Sequence, residues 1–195
     1  MAYGASVGTK PLFARLHLWT KMTHLIAAAL LLFAPASQQR PKVEIVIENR
    51  GNLTVELYQA EAPKTVAHFL ALVRKQFYDG MRFHRVENYP RPFLVQTGDP
   101  LSKTGNLDDP RMGTGGSGSP VPFEKNSMQF LNGTLGLVRD LKDPDSGDSQ
   151  FFICNGNQRF LEGTYVAFGR VTKGLEIIPK IQRGDRILSI RELRE

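Results

Sequence analysis

A chain of 195 residues, 41% hydrophobic and 23% charged, has room for one domain with a full core and argues against two. Its formal charge of +6 is partly local, because residues 1–36 hold Lys10, Arg15 and Lys21 and no acid. Removing those 3 from the 25 basic residues leaves 22 against 19 acidic ones, scattered without a basic run or aromatic interleaving, which argues against a nucleic-acid partner.

The N-terminus reads as a secretory leader. A positively charged stretch closes at Lys21, residues 25–33 are apolar, and Ala34-Pro35-Ala36 places small residues where a signal peptidase reads. Cleavage after Ala36 would leave Ser37 first and make the protein exported, periplasmic or secreted. The apolar run falls short of the roughly 20 residues of a membrane span, so no stable membrane insertion is expected after cleavage. An uncleaved anchor is the alternative. Residues 37–42 read as a polar linker, and the domain is expected over 43–195.

Val43, Ile45 and Ile47 alternate with more polar neighbours, as in a half-buried strand. Asn49-Arg50-Gly51-Asn52 signals a turn, and Leu53, Val55 and Leu57 make the second strand of a hairpin. Pro63 opens a helix, where its missing N–H costs nothing. Val66, Phe69, Leu70 and Val73 fall on one helical face, and the helical stretch is expected to end near Tyr78-Asp79-Gly80. Short apolar runs then alternate with turns at 83–86, 93–97, 134–138, 150–154 and 165–171, a spacing that suits an antiparallel barrel or sandwich. A second helix is predicted over about 174–182 with Leu175, Ile178 and Ile181 inward, shortened or kinked by Pro179. Ile187 to Leu193 forms the last strand. A barrel filled by its own side chains leaves ligands only its outside. Cys154 is the only cysteine, so no intramolecular disulfide can form, and its neighbours Phe152 and Ile153 predict a core position.

Several motifs have bland readings. Gly113 to Gly118 matches G-x-G-x-x-G literally, but Asp108-Asp109-Pro110 precedes it and Pro120 and Pro122 follow, where a dinucleotide site needs a strand and a helix. A flexible surface loop is expected instead, with glycines that let backbone lie close to a peptide. His68 and His84 lack the partners for a metal site, so no metal is predicted. Asp143, Asp145 and Asp148 lack the glycine and terminal glutamate of a calcium loop and read as a solvated acidic loop. Ser149 has no convincing histidine and aspartate partners. What remains is one cation, Arg85, with two side-chain amides, Gln96 and Gln150, and several aromatics. Such a set can bind and polarise an amide without covalent chemistry, provided its members meet in one groove.

Six segments in order resemble the cyclophilin family of peptidyl-prolyl isomerases: Phe83-His84-Arg85; Phe93-Leu94-Val95-Gln96-Thr97-Gly98-Asp99; Gly113-Thr114-Gly115-Gly116; Ser149-Gln150-Phe151-Phe152-Ile153; Phe160-Leu161-Glu162-Gly163; and Val166-Ala167-Phe168-Gly169-Arg170-Val171. The resemblance spans roughly 43–191. It implies a mainly β fold, an eight-stranded closed antiparallel barrel capped by two α-helices, with the active groove on its outer face. It implies catalysis by Arg85, with Gln96 holding substrate and arginine, and Phe93, Leu94 and Phe152 walling a proline pocket. Val138 and Arg139 would pair with the peptide main chain, Gln150 would line a neighbouring pocket, and Phe160 and Leu161 would form the far rim. His84 and Tyr165 complete the substrate-binding set, with His84 expected to make a structural hydrogen bond. The implied enzyme is a monomer that needs no cofactor and acts on proline-containing segments of folding proteins. A proline-peptide binding module or holdase on the same fold, with little turnover, is the second reading.

Three departures from the family pattern stand out. Phe160 replaces a tryptophan and Tyr165 a histidine common in eukaryotic members, as in bacterial ones, and the missing indole N–H implies only weak binding of the drug cyclosporin A. Residues 87–92 are longer than the usual connector and are expected to bulge outward. Arg139 stands where asparagine is frequent, and its side chain, if folded inward, would place a second cation near Arg85.

Overall fold

The computed structural model describes residues 1–4 and 40–194. The chain divides into Met1–Gln38 and Gln39–Glu195, and every element described here belongs to the second unit. The apolar run and the cleavage point expected after Ala36 lie outside the described residues.

Strand β1 (Lys42–Ile47) begins one residue ahead of the expected domain start. Arg40 and Pro41 already bond to β2 and the turn after it before β1 begins. Arg40 donates to Glu56 at 3.1 Å and Glu61 at 3.0 Å, and the Pro41 carbonyl accepts from the Leu57 N–H at 2.8 Å. β1 pairs antiparallel with β2 (Gly51–Leu57), and Val43, Ile45, Ile47, Leu53, Val55 and Leu57 are all buried, as alternation requires. The turn between them takes left-handed backbone at Asn49 (φ 57°) and Gly51 (φ 114°).

Helix α1 (Pro63–Arg74) buries the predicted stripe together with Thr65 and Leu72. It ends at Arg74, ahead of the turn that leads to Gly80. No local side chain caps its start. Glu124 does so instead, accepting from the N–H groups of Lys64 at 2.9 Å and Thr65 at 2.7 Å. A carboxylate there also complements the helix dipole.

The remaining strands are β3 (Arg85–Glu87), β4 (Leu94–Thr97), β5 (Thr134–Leu137), β6 (Phe151–Cys154), β7 (Val166–Lys173) and β8 (Ile187–Leu193). All eight form one antiparallel sheet in the order β3-β4-β6-β5-β7-β2-β1-β8, which curls around its core. Closure is partial, where a closed barrel was expected. Edge strands β3 and β8 share no ladder; an isolated bridge, Arg82 to Arg186, and the Phe83–Asp185 backbone bond of 2.9 Å join their approaches. Phe83, Phe151 and Phe168 are fully buried, and Phe69 from α1 packs on Phe151 and Phe168 at centroid distances of 5.6 and 5.3 Å.

The second helix is a 3-10 segment, Leu175–Lys180, instead of an α-helix. Pro179 inside it removes a donor that an α-helix would need. Ile177, Ile178 and Ile181 point inward, whereas Leu175 remains 37% exposed.

Strands β4, β5 and β6 are buried on both faces. Val95, Leu135, Phe151 and Ile153 enter the main core. On the opposite face Leu94, Phe152 and Cys154 join Phe130, Leu161 and Ala167 in a second apolar cluster, against which Phe93, Val138 and Tyr165 pack. A curled sheet with apolar side chains on its outer face has a wall ready for a ligand. Cys154 is a core residue of that cluster; burial pushes its thiol up to about 12.

Candidate active site

Strand register assembles the site. Arg85 on β3 pairs with Gln96 on β4, Gln96 with Phe152 on β6, and Phe152 with Gly136 on β5. Directly opposed residues of a sheet project to the same side. One row across four strands therefore carries a cation, an amide, an aromatic ring and a glycine. Beside it lies a cavity of about 70 Å³ lined by Arg85, Gln96, Phe93 and Leu94 on one side and Val138, Phe152, Leu161 and Tyr165 on the other. Eight of the twelve residues singled out from sequence meet there.

Polar groups link this cavity to its surroundings. Arg85 Nη1 donates to Gln96 Oε1 at 3.1 Å, and Gln96 Nε2 donates to Gln150 Oε1 at 2.9 Å. Gln150 Nε2 then donates to the carbonyls of Gly113 and Gly115, each at 2.8 Å. Every amide in this chain points one way, because each oxygen accepts from the preceding donor. Gln96 is buried, so its orientation is set by these bonds and not by solvent.

Gln150 and Arg139 line a larger neighbouring cavity of about 560 Å³, whose far wall is the glycine-rich loop. That loop is tethered, contrary to the flexible reading. Asp99, fully buried, accepts from the N–H groups of Gly113 at 2.6 Å and Gly115 at 3.3 Å. Asp148 accepts from Gly118 N–H at 2.9 Å, from the Ser117 hydroxyl and from His68 Nε2 at 3.2 Å. A Cβ on Gly116 would stand 2.5 Å from Asp148 Oδ2, so the glycine permits the approach. Of the acidic residues expected to be solvated, Asp143 and Asp145 are exposed while also accepting local bonds, Asp145 from the Phe123 N–H at 2.8 Å and Asp143 from Asp145 N–H at 3.1 Å; only Asp148 is partly buried.

Three residues are placed differently from the rest. His84 lines neither cavity. Its ring is buried beneath Gly113, and neither ring nitrogen has a hydrogen-bond partner among the described residues, so the expected structural bond is not made by the side chain. Its carbonyl accepts from Arg183 Nε at 3.0 Å. Burial pushes the imidazole below its ordinary range; Asp99 opposes this by attraction, and Gln150 faces the ring without completing a bond. Phe160 is 70% exposed and stacks on Phe93 with centroids 5.7 Å apart, a rim position outside the small cavity. Arg139 is tied down. Nε donates to the Thr164 carbonyl at 2.7 Å, and the guanidinium lies over the rings of Phe123 and Tyr165 at 5.1 and 5.9 Å.

The long connector bulges outward, with Tyr89 93% exposed. Its ends are held: Asn155 Nδ2 donates to Asn88 Oδ1 at 2.9 Å and Gln158 Nε2 to the Pro92 carbonyl at 3.1 Å. Phe93 keeps its place in the cavity wall. Sequence reading missed Glu87, Asp99, Asp148 and Gly136. Glu87 carried a signal, two residues from Arg85 on one strand and so on the same face. Gly136 carried one too, as a glycine inside a strand pattern that marks a close approach.

Fold and site together define a curled β-sheet whose outer face carries a small, largely apolar cavity with a hydrogen-bonded guanidinium at its edge. Residues 42–192 match the family model described as cyclophilin type peptidyl-prolyl cis-trans isomerase/CLD. A Brucella suis protein named a probable peptidyl-prolyl cis-trans isomerase is 39% identical over 155 residues, covering 76% of each chain. The peptidyl-prolyl cis-trans isomerase of Synechococcus elongatus is 36% identical over 149 residues, 75% of this chain and 93% of that one. A Cryptosporidium parvum cyclophilin-type isomerase, solved in the presence of the dipeptide Ala-Pro, superposes with a TM-score of 0.68 at 26% identity, covering 79% of this chain and 99% of that one. The chain belongs to the cyclophilin-type peptidyl-prolyl cis-trans isomerase family.

Proposed function

We propose that the protein accelerates X–Pro isomerisation in proteins folding outside the cytoplasm, with Arg85 as the catalytic cation. An X–Pro bond turns over in tens to hundreds of seconds, behind a barrier of about 18–20 kcal/mol that is lost amide resonance. Twisting the bond pyramidalises the prolyl nitrogen and returns its lone pair. A guanidinium beside the cavity donates to that lone pair, so it stabilises the twisted state more than the planar one. Arginine suits the task because it stays protonated and its fork is rigid.

The observation that carries this reading is the Arg85–Gln96 hydrogen bond at the mouth of a small cavity walled by Phe93, Leu94 and Phe152. The apolar walls hold the proline ring while the chain on its other side rotates. Gln96 holds the guanidinium and is itself aligned by Gln150. Val138 belongs to both cavities, so a peptide whose proline enters the small one runs along Val138 toward the larger. The Ala-Pro dipeptide present with the Cryptosporidium relative supports proline peptides as ligands. Export is supported by the charged, apolar and small-residue pattern that ends at Ala36.

A proline-tetrapeptide isomerisation assay tests the assignment. Arg85→Ala should slow catalysis roughly 100- to 1000-fold, the cost of about 2.7–4 kcal/mol for losing one such donor. Equal rates in the two proteins would sink it. N-terminal sequencing of exported protein tests the compartment, with Ser37 the expected first residue.

A further inference from the structure

Glu87 follows Arg85 by two positions on β3, so both side chains leave one face of the strand. Arg85 Nε donates to Glu87 Oε1 at 2.6 Å, and Nη2 lies 2.6 Å from the same oxygen. Gln96 takes Nη1 from the other side. Each η nitrogen carries two hydrogens, so both still have one to offer an incoming atom. Glu87 is also the last paired residue before the long connector. Its Cα pairs with Leu94, and its carbonyl accepts from the Phe93 N–H at 2.9 Å. The carboxylate therefore stands on fixed backbone, while the residues after it bulge away.

We infer that Glu87 is a positioning residue for Arg85, fixing the plane of the guanidinium so that its η hydrogens face the cavity. The inference rests on the catalytic role proposed for Arg85. Gln96 alone grips one nitrogen and leaves the plane free to swing about that bond. A second grip on the Nε side removes this freedom. The Arg85 side chain is 46% exposed, so packing holds it only in part. Glu87 also opposes the cation's charge, which by itself would weaken the donor. The two effects have opposite signs on turnover, and the sign can be measured.

The experiment compares wild type, Glu87→Ala, Glu87→Gln, Arg85→Ala and the Arg85→Ala/Glu87→Ala double variant, reading kcat and KM on proline tetrapeptides and the melting temperature. Positioning predicts that Glu87→Ala lowers kcat about three- to fivefold, the range of an exposed ion pair, with KM and melting temperature unchanged. Glu87→Gln should recover most of the rate, because its amide oxygen still accepts from Nε. In the Arg85→Ala background the Glu87 change should have no effect. A Glu87→Ala rate equal to or above wild type overturns the inference, as does an equal loss without Arg85. An Arg85→Ala protein as fast as wild type overturns the catalytic reading itself, and the positioning role with it.

Discussion

The Phe152 ring fills the space that a side chain on Gly136 would need: a Cβ there would lie 2.6 Å from Cε1 and 2.7 Å from Cε2 of the ring. The two residues are direct cross-strand partners. Phe130, stacked on the ring at 5.7 Å, and Tyr165, edge-on at 5.4 Å, block two of its sides and leave the small cavity as the space it can move into. Gly136→Ala should therefore destabilise by about 1–3 kcal/mol through overpacking and push the ring into the proline cavity. A denaturant midpoint and kcat/KM measured together check this, and both should fall. Adding Phe152→Leu makes room, so it should restore the midpoint without restoring turnover.

Asp148 holds the glycine-rich wall of the larger cavity through Ser117, Gly118 and Ser119. Asp148→Ala hands these donors, two of them exposed backbone N–H groups, to solvent and should cost about 0.5–1.5 kcal/mol, the net worth of ordinary hydrogen bonds. Hydrogen exchange at the Gly118 and Ser119 amides should accelerate. Peptides long enough to reach this wall should bind more weakly, while a dipeptide confined to the small cavity should be unaffected.

The pH response of stability should carry a signature of His84. Burial lowers its folded pKa below the unfolded value, so the neutral ring is the folded form. Below about pH 6.5 the unfolded imidazole gains a proton that the folded one refuses. The unfolded state then binds more protons, and stability falls as pH drops. The contribution is complete above that value and lost progressively below it. Denaturant midpoints from about pH 7.5 to 5.5 should decline in the wild type and decline less in His84→Phe, which forfeits no side-chain hydrogen bond. Identical slopes would contradict this.

Cys154 should be inert in the native protein. Its thiol is fully buried and pushed up to about 12, so almost no thiolate exists near neutral pH. A thiol-specific disulfide reagent at about pH 8 should label none of the folded protein and one site after denaturation. Rapid native labelling would show that the second apolar cluster opens.

Much of this fold is written in local patterns. Val43, Ile45 and Ile47 must share a face if extended, and Val66, Phe69, Leu70 and Val73 must share one if helical. Pro63 and Pro179 marked a helix start and a helix that could not run on. The closed barrel and the inward Leu175 were overstatements, because neither the pairing of edge strands nor the geometry of a six-residue 3-10 segment is encoded in alternation. Nothing near Ala62 announced that Glu124 would cap α1. Nothing in the glycine run announced Asp99 and Asp148 as its tethers, since the nearest of these donors lies 14 residues from Asp99.

By itself the sequence determined the chemistry available to this protein: one cation on a short strand, amides at Gln96 and Gln150, apolar rings at Phe93 and Phe152, and no second cysteine to crosslink it. Local alternation also determined which neighbours on a strand could share a face, Arg85 and Glu87 among them. The tertiary structure alone decided that Arg85, Gln96, Phe152 and Gly136 stand in one row, and that Arg139 turns onto Tyr165. The physical reason is register. Side chains alternate with a period of two, so a slip of one residue between strands would send half of that row into the core. Only the packing of both faces of β4, β5 and β6 excludes the slip.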